Sequence, residues 1–185
     1  MKRLFSLGLV ACFLLTSCSS DEPGPRGPEG PPGPPGGEGG MGTIFEIEGD
    51  LVNDNDYSLF AIYSDFTDVE VTEHHVVQVY LLAGQEDGSD GIPVDIWRAL
   101  PQTYYVEGGT VTYNYDFTFF DVNIFLDSNL ELGSLGSEFT DAQVFRVAII
   151  PAEMAEDHNI NINNYQEVMR TLEIQEQSIQ TLKLR

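Results

Sequence analysis

The chain has 185 residues, and its 30 Asp and Glu side chains against 8 Lys and Arg give a formal net charge of −22. A protein this acidic has no basic surface to contact a phosphate backbone, which argues against nucleic acid as a partner. Its two cysteines, Cys12 and Cys18, both lie near the start of the chain. The rest of the chain therefore has no disulfide and no thiolate metal site.

Residues 1–17 predict a secretory signal peptide. Two basic residues precede an apolar run at residues 4–15, which is shorter than the about 20 apolar residues of a transmembrane helix. The sequence Leu15-Thr16-Ser17-Cys18 resembles a bacterial lipobox, and this resemblance implies cleavage before Cys18 and attachment of lipid to it. Because the acidic chain repels anionic head groups, we expect the lipid on Cys18 to hold the protein to its membrane.

Residues 18–23 form a polar tether, in which Asp21 and Glu22 follow two serines. A short acidic run directly after the lipidated cysteine resembles the export signal of lipoproteins of the Bacteroidetes type. That resemblance implies the outer membrane as the location. We expect the part of the chain beyond the tether to be exposed at the cell surface.

Residues 24–42 carry a glycine at every third position, from Gly24 to Gly42, with prolines concentrated in the first four triplets. This period is required where three polyproline II chains meet at the crowded axis of a collagen helix. At about 3.1 Å per residue, the extended segment would span roughly 55 Å. Two interpretations stay open: a semi-rigid spacer of one chain, or the stalk of a homotrimer held by Gly24 to Gly42 and the following domain.

Residues 43–185 predict one β-rich globular head. Alternating residues predict strands at 45–48, at 57–63 and around Val69 and Val71. Residues 76–82 are apolar on both faces, which is typical of a central strand. A loop is predicted at residues 84–91.

The residues around Gly108-Gly109 predict a β-hairpin. A two-residue turn at these glycines would pair Val106 with Val111 and Tyr104 with Tyr113, and the paired residues agree in type. Further on, the apolar positions change phase at residues 119 and 120. This change predicts a β-bulge within one long, bent strand.

The last third of the chain predicts a buried strand and a helix. Residues 144–150 form the strand, with Arg146 as its one polar position, and Asn164 followed by Glu167 predicts a capped helix start. An apolar stripe at helical spacing follows, and residues 179–184 predict a final short strand. The fold class is therefore mainly β: an antiparallel β-sandwich or jelly-roll-like head of eight or nine strands with one C-terminal helix.

The lipobox, the short Gly-x-y run and the acidic β-domain together resemble the collagen-like lipoproteins of Bacteroidetes. In the head, residues 45–50, 114–122 and 145–147 carry the resemblance. It covers essentially the whole chain after the signal peptide. It implies a lipid-anchored surface protein, but it supplies no activity and no binding residue, so the protein or glycan ligand is open.

No motif in the sequence predicts an enzyme. No Gly-x-Gly-x-x-Gly turn lies between a predicted strand and a helix, because the glycines before the head recur every third residue among prolines, and residues 133–137 do not have the spacing of a serine nucleophile elbow. His74 and His75 are adjacent in extended chain, so they point to opposite faces and cannot share a metal. We therefore expect a non-enzymatic binding or structural head. A carboxylate-based extracytoplasmic hydrolase is an alternative, because sequence does not give the separation of paired acids.

Two acidic turns contain the candidate calcium ligands, since calcium takes carboxylate oxygens from such turns. Neither turn has the spacing of an EF-hand, and solvated surface turns are the competing interpretation. Calcium is the one cofactor left open. A glycan- or calcium-dependent adhesion module is thus a second alternative, with exposed aromatics such as Tyr105 as sugar contacts. The candidate ligands are Asp50, Asp54 and Asp56 in the first turn and Glu86, Asp87 and Asp90 in the second.

Overall fold

The structure is a computed structural model that describes residues 42–89 and 91–184. These residues belong to one compact unit, Gly36–Arg185. The predicted signal peptide, the tether with Cys18 and the Gly-x-y segment up to residue 41 lie outside the described residues, as does Asp90. In the described ranges, no helix is both long enough and apolar enough to cross a membrane.

The described chain is mainly β, as predicted, with nine strands and three short helices. The strands are β1 Thr43–Gly49, β2 Ser58–Ile62, β3 His75–Asp87, β4 Pro93–Ala99, β5 Gln102–Val106, β6 Gly109–Phe117, β7 Asp121–Ser128, β8 Gln143–Pro151 and β9 Gln180–Lys183. The helices are α1 Ser137–Thr140, α2 Ala152–Asp157 and α3 Tyr165–Thr171.

The strands form two sheets of a β-sandwich. The five-stranded sheet has the order β4-β3-β8-β1-β9, and the four-stranded sheet has the order β2-β7-β6-β5. Neighbouring strands are antiparallel except β1 and β9, which are parallel. Alternate side chains of both sheets meet in one core, which includes Phe45, Phe145, Tyr113 and Ile124.

The five-stranded sheet is buried on its outer face as well. A second apolar cluster there joins Tyr80 and Ile150 to Tyr165 and Val168 of α3. The predicted cap is present, since the Asn164 side chain accepts a hydrogen bond from the backbone of Glu167 at 3.2 Å. Burial on both faces explains why the central strands β3 and β8 read as continuous apolar runs.

The hairpin of β5 and β6 exists, but its predicted register is wrong. Val106 pairs with Gly109 and Tyr104 with Val111, so the two turn residues are Glu107 and Gly108. Gly108 supplies the positive φ of the turn, at 84°. Gly109 serves close approach instead, because a Cβ there would collide with the side chain of Asn129. The shift is two residues, so each side chain keeps its predicted face.

The predicted β-bulge at residues 119 and 120 is wrong, because the phase change is the turn between β6 and β7. The backbone N–H of Thr118 donates to the carbonyl of Asp121 at 2.9 Å. The Thr118 hydroxyl also donates to the Asp121 carboxylate at 2.9 Å and accepts from the Phe120 N–H at 3.0 Å. This turn contains neither glycine nor proline, so composition gave no signal for it.

Two further segments differ from prediction. The residues around Val69 and Val71 are a loop without a strand, although Val71 is buried. The first half of the predicted loop at residues 84–91 is strand, because β3 continues to Asp87 and pairs with the unpredicted β4. The register shifts between Leu82 and Gly84, and this bulge lets the ladder continue past the glycine.

Tyr63 and Tyr115 offer a matched pair of substitutions that should change the free energy of unfolding in opposite directions. The Tyr63 hydroxyl is buried without a hydrogen-bond partner, whereas the Tyr115 hydroxyl donates to the carbonyl of Val77 at 3.1 Å. We expect Tyr63→Phe to raise the free energy of unfolding by about 1 kcal/mol and Tyr115→Phe to lower it by about 1 kcal/mol. Urea denaturation followed by circular dichroism measures both. Destabilisation by Tyr63→Phe would show that its hydroxyl has a partner.

Candidate functional site

An open groove crosses the outer face of the five-stranded sheet, between β4 and α3. Its volume is about 800 Å³, and small-ligand sites commonly measure about 300–1,000 Å³. The groove mixes aromatic and polar side chains. Its lining includes Gln85, Asp95, Trp97, Tyr165, Arg170 and Glu176.

The aromatic part of the groove is fixed to the sheet. Trp97 comes from β4, and Tyr165 is the first residue of α3, with ring centroids 5.3 Å apart. Tyr165 also meets the ring of Tyr80 at 5.2 Å, in an edge-to-face arrangement. The Tyr80 hydroxyl in turn donates to the carbonyl of Ile162, in the segment before α3. The rings therefore have little freedom to rearrange.

Arg146 lies beneath the groove and is only 6% exposed. Its guanidinium is 4.1 Å from the centroid of the Trp97 ring, in a cation–π contact. Its Nε donates to the Glu46 carboxylate at 3.0 Å, and another nitrogen donates to the Glu176 carboxylate at 2.6 Å. That second nitrogen also donates to the Tyr165 hydroxyl. A buried charge is tolerated because such partners surround it.

Burial and the neighbouring acidic groups shift the pKa of Arg146 in opposite directions. Burial lowers the pKa of Arg146, but Tyr165, Glu46 and Glu176 together raise it above its ordinary value. The guanidinium is therefore charged at any physiological pH. Burial also raises the pKa of Tyr165, which stays a neutral hydroxyl.

The cluster joins segments that are distant in sequence. Arg146 on β8 binds Glu46 on β1, and the Thr181 hydroxyl of β9 donates to the same carboxylate at 2.9 Å. Glu176 adds the short 3-10 turn Glu176–Ser178 to the cluster. The groove therefore exists before any ligand arrives, and a ligand would not have to order it.

The polar wall of the groove can hydrogen-bond a ligand. The Gln85 side chain donates to the Asp95 carboxylate at 2.7 Å, so each fixes the other on neighbouring strands. Arg170 of α3 is exposed on the opposite side. Donors and acceptors thus flank the aromatic rings.

The predicted calcium ligands are not brought together where the structure describes them. The Asp50 carboxylate accepts a hydrogen bond from the backbone of Ala142 at 2.7 Å, while Asp54 lies in the 3-10 turn Asn53–Asn55. Asp56 follows that turn with a left-handed backbone. Within residues 42–89 and 91–184, no group of three or more His, Cys, Asp or Glu could hold a metal.

The second predicted calcium turn is partly a strand in the structure. Glu86 and Asp87 belong to β3, and Asp90 lies outside the described residues. Residues in a strand point alternately to opposite faces, so Glu86 and Asp87 do not share a ligand position. Calcium binding stays a prediction without a described site.

The sequence patterns predicted no residue of the groove cluster as part of a site. Arg146 stood out as the one polar residue of a buried strand, and a buried cation requires a carboxylate partner. That requirement points to Glu46 on a predicted strand, but nothing local indicates Glu176. Trp97 was missed together with β4, although it is the one tryptophan of the chain.

No protein-family model, no curated protein and no solved structure matches this chain. The chemistry of the groove is accordingly interpreted from its own residues. The resemblance to collagen-like lipoproteins of Bacteroidetes stays a prediction.

Proposed function

We propose that this chain is a non-enzymatic, lipid-anchored protein of the outer membrane, which displays its β head at the cell surface as a binding module on a short collagen-like stalk. The observation that carries the binding role is the preformed groove of about 800 Å³ between β4 and α3. The lipobox at Cys18 and the Gly-x-y run support the anchor and the stalk. The surface role then follows, because a tethered head meets ligands outside the cell.

The anchor is tested in the producing bacterium with the full chain and its Cys18→Ala variant. We expect the full chain in the outer-membrane fraction, and its head digested when proteinase K is added to intact cells. Cys18→Ala removes the only acylation site of the lipobox and should release the protein from the membrane fraction. A periplasmic protein serves as the control for intact cells. Digestion of the head only after the outer membrane is broken would overturn surface display.

The groove also contains two carboxylates, Asp95 and Glu176, which the hydrolase alternative requires. Both already accept strong hydrogen bonds, Asp95 from Gln85 and Glu176 from Arg146. Carboxylates that neighbouring side chains hold in place can accept hydrogen bonds from the hydroxyl groups of a ligand. The contacts therefore favour binding over hydrolysis.

The lining of the groove favours a glycan as the ligand. The apolar C–H faces of a sugar ring pack on aromatic rings such as Trp97 and Tyr165, while its hydroxyl groups hydrogen-bond to Gln85, Asp95 and Arg170. An open groove also accepts a chain that continues on both sides. Calcium has no described part in this mode of binding.

Trp97 provides a direct measurement of glycan binding, because it is the sole tryptophan. We expect a change in its emission when a dextran, a mannan or a β-glucan occupies the groove. By calorimetry, Trp97→Ala should weaken binding of the active polysaccharide at least tenfold. Tyr105→Ser is the matched control, since Tyr105 is exposed on the other sheet and should not affect binding. Unchanged emission with all three polysaccharides would contradict this ligand class.

A further inference from the structure

Four large apolar side chains are exposed at one end of the sandwich. They are Ile62 at 45%, Phe117 at 44%, Phe119 at 51% and Phe120 at 75% exposure, and we call them the apolar tip. Ile62 ends β2, Phe117 ends β6, and the other two lie in the turn between β6 and β7. Clustered apolar exposure of this kind on a soluble protein marks an interaction surface.

The apolar tip lies at the end of the head where β1 begins. Phe45 of β1 packs against the Tyr63 ring at 6.3 Å, and the Tyr63 backbone donates to the carbonyl of Phe120 at 2.9 Å. The strand register indicates the same end of the head, because Thr43 and Val77 both pair with Ile149 and so lie at the same level of the sheet. The Tyr115 hydroxyl, on the strand that ends at Phe117, donates to that same Val77.

The Gly-x-y run ends at Gly42, directly before Thr43. Chains that are joined through this run therefore have their heads attached at the end that carries the apolar tip. Joining also raises the effective concentration of one head near another, so a weak contact between tips becomes sufficient. This argument rests on the proposed stalk.

We propose that the apolar tip is the surface through which copies of this chain associate into a homotrimer. A hollow of about 540 Å³ lies beside Phe120 and is lined by Tyr63, Val69 and Val71 among others. Phe120 protrudes next to this hollow, so one copy offers a ring and its neighbour a receptor. Such a heterologous contact closes into a ring of subunits when the rotation is suitable.

Acidic side chains beside the apolar tip make the salt dependence of binding a way to tell which partner binds there. Asp68, Glu70 and Glu73 line the hollow together with Phe119 and Phe120. In an assembly of identical chains these like charges repel one another. Salt weakens the repulsion, because charges more than about 8 Å apart are largely screened at physiological ionic strength. Association of copies should therefore strengthen with added salt. Binding of a basic partner to these carboxylates would instead weaken with added salt.

The test uses the soluble mature chain that begins at Ser19, in sedimentation equilibrium at low and high sodium chloride. We expect a trimer that dissociates on dilution and associates more strongly in high salt. Phe120→Ser should raise the apparent dissociation constant at least tenfold, and Phe119→Ser should act in the same direction. Tyr105→Ser removes an aromatic ring that is 89% exposed on another strand, and it should leave the equilibrium unchanged.

Circular dichroism confirms that each variant is folded. It also follows the collagen signal near 220 nm in a Gly30→Ala, Gly33→Ala chain, which breaks the glycine period. If this chain loses the collagen signal but still associates, the contact between tips does not depend on the stalk. Failure of the proposed stalk can then be told apart from failure of the proposed tip contact. A wild-type chain that is monomeric at all accessible concentrations, or a folded Phe120→Ser chain that associates like wild type, overturns the proposal.

Discussion

Replacing Arg146 with methionine is expected to lower the free energy of unfolding of the head by about 3–5 kcal/mol. Methionine fills much of the same space, but it leaves the Glu46 carboxylate with the Thr181 hydroxyl in place of a cation and the Tyr165 hydroxyl without the guanidinium. The Glu46 side chain is only 18% exposed, so water replaces the guanidinium poorly. The cost comes chiefly from this uncompensated charge, because a largely buried carboxylate without a cationic partner is strongly disfavoured.

Urea denaturation of the wild type and Arg146→Met measures this loss. The control is Lys183→Met, which breaks the pair between Lys183 and Glu48 on the surface, where the lysine is 72% exposed. We expect at most about 1 kcal/mol there. Adding Glu46→Gln to Arg146→Met should recover part of the loss. Equal costs for Arg146→Met and Lys183→Met would contradict the role assigned to the cluster.

The head is expected to unfold cooperatively in alkali, with a midpoint between about pH 11 and 13. Burial raises the pKa of four core tyrosines well above the value of about 10 in an unfolded chain. Their contribution to stability is therefore complete below pH 10 and is lost as the pH rises above it. Each contributes about 1.4 kcal/mol less per pH unit there, against a total stability of about 5–15 kcal/mol. The four are Tyr63, Tyr80, Tyr113 and Tyr165.

Two signals recorded on the same sample test the alkaline transition. Tyrosinate absorbance near 295 nm should rise for these side chains only as the β signal in circular dichroism disappears. Tyr63→Phe removes one titrating hydroxyl without losing a hydrogen bond, so the midpoint should rise and the transition become less steep. Ionisation of all tyrosines with the β signal intact would disagree with their burial.

Local patterns predicted much of this fold because burial is periodic. The strands β3 and β8 were recognised as apolar runs, and α3 was recognised from its cap at Asn164 and the apolar stripe that follows. The hairpin register was not recoverable, since Gly108 and Gly109 look alike in sequence. One of them serves the turn and the other makes room for Asn129, which is distant in sequence.

The candidate site was less predictable than the fold, because its parts meet only after folding. Arg146 could be recognised as an unusual residue, but its hydrogen-bond partner Glu46 lies 100 residues earlier. Trp97 depends on β4, which pairs with β3 beyond the bulge at Gly84. Patterns within a short window do not contain such pairings.

The position of β1 has a mechanical consequence. It is the first strand after the Gly-x-y run, and it lies inside the sheet, with β8 on one side and β9 on the other. Seven residue pairs join β1 to β8, and the hydrogen bonds of such a ladder run across the strands. A pull along β1, between the proposed membrane anchor and a ligand in the proposed site beside β4, would load these bonds together in shear. If the head is anchored and binds a ligand as proposed, we expect this ladder to resist unfolding under such a pull.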